Sequence, residues 1–371
     1  MIKVIHIISD KNIGGAGIHL LGILKYIDRD IFDVSVILPQ GAELFPAIRK
    51  LGVRIFTLSD GINRSFDIKG IYRIMRILKR EKPDIVHTHA CASGRLAAFL
   101  CRTRVRIMTR HCPCEVPKIM KNRIIRTISG FINKQLTDFF IATADIAKEN
   151  LIGIGVPENR ITVIVNGCDA VRKITEDRNG LLRREIGIGS DDFVVGIVAR
   201  LEACKNHAGI IRAVNLCQKS FSSRRIRLLV VGDGSLREEI KSLAEAELPD
   251  TVFVGFVSDV APYFNIMNLN LNFSVKAETS NLALSEGMSI GLPAVVSNSG
   301  GNSFMIKNNV NGIVVPEGDI SALAAAIMKL EASEQIYRSM SLEAKRRYKE
   351  LFTAREMSRK TAQLYLELYN K

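Results

Sequence analysis

Short apolar runs recur along this chain and alternate with longer segments in which apolar residues return every three or four positions. Valine and isoleucine dominate the short runs, for example at 33–38, 193–198 and 294–297, as is typical of buried strands. The segments between the runs have the helical period, for example at 68–80 and 207–219. Strands that alternate with helices in this way predict parallel sheets covered by helices on both faces.

The alternation occurs twice, on either side of a polar stretch at 173–184. Before this stretch we expect seven strands, at 3–9, 33–38, 54–58, 85–88, 104–109, 139–143 and 161–165. After it we expect six, at 193–198, 227–231, 251–254, 269–275, 294–297 and 312–315. The final segment, 333–371, has a helical pattern throughout.

A chain of 371 residues is too long for one ordinary core, so the two series of elements predict two domains. The fold class is α/β, with two Rossmann-like domains at 1–170 and 171–354. The last helix, about 355–371, is expected to cross back to the first domain. We expect the domains to face each other across a cleft, with ligands at the carboxyl ends of the strands.

The composition is that of a globular protein, with 47% hydrophobic and 24% charged residues. No apolar run has the length of a membrane span, and the N-terminus opens into a strand-like run without the pattern of a secretory signal. Seven cysteines without a framework spacing favour a reducing cytoplasm. His111-Cys112-Pro113-Cys114 lacks a second pair of ligands at zinc spacing, so no metal site is predicted.

The net charge of +14 lies mainly in the first half, where residues 1–170 hold 26 Lys and Arg against 15 Asp and Glu. This half is expected to face an acidic partner. Nucleic acid is disfavoured because the chain has no tryptophan and few aromatic residues among the basic ones. An anionic membrane surface fits better.

Residues 102–134 concentrate this charge, with nine Lys and Arg and only one acidic residue, Glu115. Apolar residues recur there at near-helical spacing. Two interpretations stay open: a basic amphipathic helix that lies on an anionic membrane, or an ordinary surface helix with its apolar side in the core.

The strongest candidate for chemistry is the segment 271–302, which reads as a strand, a polar turn and a helix that begins at Leu282. Unpaired N–H groups near Asn281 and Leu282 would point at a phosphate. Glu286, one turn into the helix, is the candidate for binding the two ribose hydroxyls. Glu278, in the turn, would lie beside the sugar or the reacting phosphate.

Three other motifs follow predicted strands. Arg200 and Lys205 can grip a diphosphate, one as a planar fork and one as a point charge. The Gly14-Gly15 turn would let the backbone approach a ligand, although a plain tight turn explains it about as well. His89, at a strand end, can hydrogen-bond a sugar hydroxyl, or it is simply a solvated histidine.

Glycine-containing turns follow two further strands of the second half, at 230–234 and 255–259. Backbone groups in such turns can approach a base. The candidates for contacting the base are therefore Gly232, Phe256 and Val257.

With these motifs, the whole chain resembles the retaining glycosyltransferases of the GT-B fold, in the group called group 1 or family 4. The resemblance rests on four motifs: Glu278-x7-Glu286 followed by Gly291-x-Pro293, Arg200-Leu201-x3-Lys205, Gly14-Gly15, and the run from Asp84 to His89. It implies that Gly15, Arg200, Lys205, Asn281 and Leu282 bind the donor diphosphate, that Glu286 binds ribose, and that Glu278 and His89 are catalytic.

The resemblance also implies a hexosyltransferase that needs no metal or cofactor, since the nucleotide-diphosphate sugar, such as a UDP-sugar, is a substrate. The acceptor would be a lipid-linked or polysaccharide-precursor glycan in bacterial surface glycan synthesis. The enzyme would be cytoplasmic and peripheral on the inner face of the membrane.

Three residues depart from the family pattern. Gly17 and Phe304 stand where a glutamate is common, and Thr279 stands where glycine is frequent. These positions shape the donor and acceptor pockets, so they leave the sugar open. The alternatives are a nucleotide-sugar 2-epimerase of the same architecture, or a non-catalytic protein that binds a nucleotide sugar or a membrane. Both are disfavoured because the Arg200–Lys205 and Glu278–Glu286 pairs match transferases better.

Overall fold

The computed structural model describes residues 1–58, 67–89, 91–111, 116–220, 223–275 and 278–371. The chain divides into two compact units. The first unit consists of Met1–Cys168 with Ala354–Lys371, and the second unit is Asp169–Thr353. Within the described ranges, no helix is both long enough and apolar enough to cross a membrane.

The first unit contains a sheet of seven parallel strands. These are β1 (Ile2–Ile8), β2 (Phe32–Pro39), β3 (Arg54–Leu58), β4 (Ile85–His89), β5 (Val105–Arg110), β6 (Phe139–Ala142) and β7 (Ile161–Val163). Their order in the sheet is β3-β2-β1-β4-β5-β6-β7. The order reverses between β1 and β4, which makes the carboxyl ends of these two strands the place where a sheet of this kind binds ligands.

Six helices follow these strands along the chain. They are α1 (Gly15–Tyr26), α2 (Phe45–Lys50), α3 (Ile68–Glu81), α4 (Ala92–Leu100), α5 (Arg123–Leu136) and α6 (Asp145–Gly153). Short 3-10 helices lie at Lys118–Lys121 and Glu158–Arg160. The sheet is buried on both faces, because Val4 and Ile8 of β1 join one hydrophobic cluster while Ile5 and Ile7 join another.

The second unit contains six parallel strands, arranged as β10-β9-β8-β11-β12-β13. The strands are β8 (Phe193–Val198), β9 (Ile226–Val231), β10 (Val252–Gly255), β11 (Leu269–Asn272), β12 (Ala294–Ser297) and β13 (Gly312–Val315). The helices are α7 (Glu176–Glu185), α8 (His207–Lys219), α9 (Arg237–Glu247), α10 (Ala261–Ile266), α11 (Leu282–Ile290), α12 (Asn302–Met305), α13 (Ile320–Ala332) and α14 (Glu334–Leu351). The order reverses between β8 and β11, which defines the corresponding ligand-binding edge of this unit.

The last helix, α15 (Ala354–Tyr369), belongs to the first unit, as predicted. It packs on α1 at Gly22, where an added Cβ would lie 2.8 Å from Cε of Met357. The Ser358 hydroxyl donates to the carbonyl of Ile23 at 3.2 Å, and Tyr365 is fully buried. The last helix therefore completes the core of the first unit.

Two segments have structure that the pattern of apolar residues did not specify. The polar stretch at 173–184, for which no element was predicted, contains most of α7. Acidic residues in the first turn and arginines in the last turn of α7 complement the helix dipole, but only Asn179 is buried, so the sequence shows no apolar period. The helical segment 333–371 is divided at Phe352 and Thr353 into two helices.

Helix α5 attaches to the first unit by its small and polar side. An added Cβ at Gly130 would overlap the carbonyl oxygen of Gly155, and the Ser129 hydroxyl donates to the carbonyl of Ile154 at 2.7 Å. Gly130 is the one buried residue of the helix. Four of its six large apolar side chains are exposed instead, at Ile124 (70%), Ile128 (54%), Phe131 (63%) and Ile132 (51%). The apolar side of this helix therefore does not face the core.

Candidate functional site

A buried carboxylate lies at the ligand-binding edge of the second unit. Glu278 follows β11 and is 7% exposed. One of its carboxylate oxygens accepts from the Lys205 ammonium at 2.6 Å, from the Ser274 hydroxyl at 2.7 Å and from the Asn272 amide at 3.3 Å. A buried carboxylate is tolerated when it is both paired with a cation and hydrogen-bonded, and this one is.

The backbone of the same loop is held from the loop after β12. The N–H of Gly301 donates to the carbonyl of Glu278 at 3.0 Å. Gly300 has φ +54°, and an added Cβ would overlap that carbonyl oxygen. The Asn272 amide also reaches the side-chain oxygen of Asn302 at 3.3 Å. Two loops thus fix the position of Glu278.

Asn272, Ser274 and Asn302, which support Glu278, were not among the site residues predicted from the sequence. All three are buried, at 4%, 1% and 0% exposure. The available signal was the polar residues that interrupt the apolar run LNLNFSV at 269–275. Buried amides and hydroxyls in a strand need partners, so they mark a strand that ends at a polar cluster.

Lys205 is positioned by local backbone structure. It ends a short 3-10 helix at Ala203–Lys205, and the next residue, Asn206, adopts the left-handed conformation with φ 51°. The Asn206 side chain accepts from the N–H of Gly209 at 3.2 Å and so caps α8. An ammonium group has three donors, and Glu278 uses one of those of Lys205. Arg200 lies exposed between the end of β8 and this turn.

The start of α11 lies in the loop that follows Glu278. The Asn281 side chain accepts from the N–H of Leu284 at 3.3 Å and caps the helix. In the described part of the chain, no side chain accepts from the N–H groups of Leu282 and Ala283. These groups give the helix start its partial positive charge, which favours an anion.

Glu286 lies one turn into α11 and is partly buried. Burial raises the pKa of its carboxyl to about 7. Across the ranges that the structure covers, no donor lies within hydrogen-bonding distance of its carboxylate. Burial therefore destabilises the charged form of Glu286, and no partner among the described residues compensates for it.

The three candidates for contacting a base follow β9 and β10. Gly232 has φ +137°, its N–H donates to the carbonyl of Gly255 at 2.8 Å, and an added Cβ would overlap the carbonyl oxygen of Ala199. Close backbone packing within the unit therefore requires glycine there. Phe256 is 76% exposed, whereas Val257 packs against a hydrophobic cluster of the unit.

The departures from the family pattern have structural explanations at two positions. An added Cβ at Gly17 would lie 2.9 Å from Cδ2 of Leu44, so packing of α1 opposes a larger side chain. Phe304 is 43% exposed and forms an edge-to-face contact with Phe352, with ring centroids 6.1 Å apart. At both positions an apolar contact replaces the charge that the family pattern has.

Gly15 and His89 lie at the ligand-binding edge of the first unit. Gly15 is the first residue of α1, and an added Cβ would meet no atom within 4 Å. His89 ends β4 and is 1% exposed. Its Nε2 lies 3.1 Å from Nδ1 of His6, and its Nδ1 lies 3.1 Å from Nε2 of His111. His89 is thus an internal member of a chain of imidazoles rather than a solvated strand end.

Five of the six histidines of the protein form one cluster in the first unit: His6, His19, His87, His89 and His111. Burial lowers the pKa of all five, to about 3 for His6 and about 4 for His19. The imidazoles are therefore neutral at physiological pH. Among the residues that the structure describes, two sets of three have the spacing to hold a metal ion, His6–His87–His89 and His19–His89–His111.

The structure thus brings Lys205 and Glu278 into contact. It places the other second-unit candidates in the loops that follow strands or in the first two turns of α11. Gly15 and His89 belong to the first unit. Of the motif His111-Cys112-Pro113-Cys114, only His111 lies among the described residues.

Comparison with known proteins gives matches over almost the whole chain. The family model "Glycosyltransferase Family 4" matches residues 13–172, and the model "Glycosyl transferases group 1" matches residues 179–347. The Escherichia coli protein UDP-Gal:alpha-D-GlcNAc-diphosphoundecaprenol alpha-1,3-galactosyltransferase is 25% identical, over 99% of this chain and 97% of its own. The Staphylococcus aureus capsular polysaccharide biosynthesis glycosyltransferase CapM is 24% identical, over 90% and 89%.

Among solved structures, Anabaena Alr3699/HepE in complex with UDP is similar, with a TM-score of 0.84 at 18% identity. The similarity covers 99% of this chain and 100% of that one. This likeness shows the fold, two parallel α/β domains of the GT-B type, as predicted. Together with the two family matches, it identifies the chain as a glycosyltransferase of the group 1 family.

Proposed function

We propose that this glycosyltransferase moves a hexose from UDP to a lipid-linked or polysaccharide-precursor glycan in bacterial surface glycan synthesis, with retention of configuration and without a metal. The names of the two relatives, which specify a UDP-galactose donor, a diphosphoundecaprenol acceptor and capsular polysaccharide, support the donor and acceptor classes. The UDP bound to the structural neighbour supports the same base.

One observation carries the proposal: the Lys205–Glu278 ion pair lies at the ligand-binding edge of the second unit, followed by the uncapped N–H groups of α11. Transfer leaves negative charge on the departing diphosphate. The Lys205 donors that Glu278 does not use, the guanidinium of Arg200 and the helix start at Asn281 and Leu282 would stabilise that charge. These groups supply positive charge where a divalent metal would otherwise be needed.

The remaining second-unit residues would bind the nucleoside. Glu286 has no partner among the described residues, so two ribose hydroxyls would supply the hydrogen bonds that its carboxylate lacks. The exposed ring of Phe256 offers a surface on which a base can stack, with Val257 and Gly232 in the adjoining turns.

Glu278 would act beside the donor sugar, held in place by Lys205 and Ser274. In the first unit, the open space around Gly15 would admit a phosphate to the backbone of α1. For His89 to contact the sugar, the hydrogen bond between its Nε2 and His6 would be exchanged for one to a hydroxyl.

Arg200 offers a clean test of the donor site because it is exposed, and its removal leaves no buried group unpaired. We expect Arg200→Ala to weaken UDP binding by about 10–100-fold, since a hydrogen bond to a charged group contributes about 1.5–3 kcal/mol. Arg178→Ala, at an exposed arginine of α7, is the matched control. Calorimetric titration with UDP measures both. Equal affinity in the Arg200→Ala variant and the control would reject the diphosphate role.

Product analysis tests the reaction itself. With a UDP-sugar and an undecaprenyl-diphosphate-linked sugar, we expect a new glycoside whose anomeric configuration, read by NMR, is that of the donor. The reaction should continue in excess chelator. An inverted product would reject retention, loss of turnover in chelator would reject metal independence, and an isomerised donor formed without acceptor would favour the epimerase.

Helix α5 supports an anionic membrane as a partner. It exposes four large apolar side chains together with Arg123 and Arg126, and Lys121 is exposed just before its start. Exposed apolar residues beside cations match a bilayer interface with anionic headgroups, in which the apolar residues insert and the cations meet phosphate. A lipid-linked acceptor would then be met at the surface where it resides.

Vesicle sedimentation tests this surface. We expect binding to phosphatidylglycerol vesicles at low salt, release at high salt, and little binding to phosphatidylcholine vesicles. The variant Ile128→Ser/Phe131→Ser should lose most binding, and Leu342→Ser, at a residue 69% exposed on α14, should not. Binding that is unaffected by salt and by the α5 variant would reject the proposal.

A further inference from the structure

The histidine cluster is more than the transfer reaction requires. Its members come from positions as distant as 6 and 111, and the fold brings them to the carboxyl ends of β1, β4 and β5 and into α1. We infer that His19, His89 and His111 form a binding site for a divalent transition-metal ion of the zinc class, with Nε2 of His19, Nδ1 of His89 and Nε2 of His111 as ligands.

The spacing of the three imidazoles fits such an ion. One nitrogen from each residue lies within 4.8 Å of the others. The nitrogens of His89 and His111 are 3.1 Å apart, and tetrahedral zinc with Zn–N of about 2.0–2.1 Å holds its nitrogens about 3.3 Å apart. The ring centroids are separated by 4.8, 5.3 and 5.7 Å. Three protein ligands leave a fourth position for water.

Hydrogen bonds outside the triad prepare two of the ligands. Nδ1 of His19 lies 2.8 Å from the amide oxygen of Asn166, which can only accept, so the proton of His19 is on Nδ1 and the lone pair is on Nε2. This Nε2 is buried and has no hydrogen-bond partner in the ranges described. Nε2 of His89 is engaged by His6, which leaves Nδ1 on the side of His111. Metal-binding histidines are commonly oriented through their second nitrogen in this way.

The other set of three is less suited, because both nitrogens of His87 are already used. Its Nδ1 lies 2.5 Å from the Tyr365 hydroxyl, and its Nε2 lies 2.6 Å from that of Thr109. A set of three neutral imidazoles selects Zn²⁺, Co²⁺, Ni²⁺ or Cu²⁺ over Mg²⁺, which prefers oxygen ligands.

Cobalt titration of the full chain, prepared without a histidine tag and treated with chelator, tests the site. We expect one Co²⁺ per chain, with the intense visible absorption of a tetrahedral ion, displaced by one equivalent of Zn²⁺ and unaffected by Mg²⁺. His111→Gln, at the partly exposed ligand, should abolish this absorption. Asn166→Ala should weaken binding by about 10–100-fold through loss of the outer hydrogen bond. His207→Gln removes the one histidine outside the cluster and should bind as the wild type does.

Circular dichroism establishes that each variant is folded before its spectrum is interpreted, and His19→Gln provides a second ligand variant. Absence of stoichiometric cobalt binding by the wild type would overturn the inference. So would equal affinity in His111→Gln and His19→Gln, or a thiolate-to-cobalt charge-transfer band, which would mean ligation by cysteine. The assay contains no nucleotide sugar, so its outcome is independent of the proposed glycosyl transfer.

Discussion

Replacing Glu286 by glutamine distinguishes the destabilisation caused by this buried carboxylate from its proposed role in binding ribose. Glutamine has nearly the same shape and carries no charge. Because burial raises the pKa of Glu286, the folded ligand-free protein holds the proton more tightly than the unfolded chain does. Below its ordinary pKa of 4.5, Glu286 therefore does not change the free energy of unfolding. As the pH rises from about 4.5 to about 7, this group lowers the free energy of unfolding, which stays reduced at higher pH.

The size of the effect follows from the shift. Between the ordinary value of 4.5 and about 7, each pKa unit corresponds to about 1.4 kcal/mol, so the charged form costs about 3 kcal/mol at pH 8. Since the side chain is only partly buried, we expect Glu286→Gln to stabilise the ligand-free protein by about 2–3 kcal/mol at pH 8 and by little at pH 4.5. For a domain of 150–250 residues, this corresponds to about 5–10 °C in Tm.

Binding should change in the opposite direction. Ribose hydroxyls donate best to the ionised carboxylate, so UDP affinity of the wild type should increase between pH 6 and pH 8. The variant should bind UDP about 10–100-fold more weakly at pH 8, since hydrogen bonds to a charged group contribute about 1.5–3 kcal/mol. The variant should also lose the part of the pH dependence that comes from this group.

Calorimetric scans and UDP titrations at pH 4.5, 6 and 8 measure both effects. Glu245→Gln, at an exposed glutamate of α9, is the control for loss of one negative charge. A variant no more stable than the wild type at pH 8 would refute the burial cost. A stabilised variant with unchanged UDP affinity would support the conclusion that the buried carboxylate destabilises the protein, but it would refute the ribose role.

Three further predictions concern other parts of the protein. Gly15→Ala should leave Tm unchanged or slightly raised, because the site is open, but should weaken UDP-sugar binding. Gly180→Ala, at an equally open helical glycine, is its control in the same melting and binding assays. Gly300→Ala should destabilise the second unit by more than about 1 kcal/mol in urea unfolding and reduce turnover, since its Cβ would displace the backbone of Glu278; normal turnover would contradict this. Tyr365→Phe should cost about 1–3 kcal/mol in urea unfolding by leaving a buried imidazole without its partner, whereas a change below about 0.5 kcal/mol would mean that water replaces the hydroxyl.

The sequence predicted the sheets well because buried parallel strands are continuous apolar runs. The bounds of β3, β8, β12 and β13 agree with the prediction. Helix α7 was not predicted, because its stability comes from charges at its ends and not from an apolar stripe. A helix of this kind leaves no periodic signal in the pattern of hydrophobic positions.

Candidate residues near one another in sequence were easier to interpret than those brought together by folding. Glu278 and Glu286 lie in one segment, and their spacing was visible directly. The contact between Lys205 and Glu278 spans 73 positions, and the residues that hold Glu278 were not singled out. The histidine cluster was missed for the same reason, since its spacing in sequence resembles no metal motif.

The placement of α15 has a consequence for the synthesis of the protein. The second unit is one continuous stretch of chain and can fold as soon as it has left the ribosome. Most of the first unit is synthesised earlier, yet its core lacks Tyr365 until the whole second unit has been synthesised. A nascent chain therefore carries an open first domain throughout synthesis of the second, as a potential client for chaperones. A premature stop codon at the start of the last helix would leave the later-made domain whole and the earlier-made one unfinished.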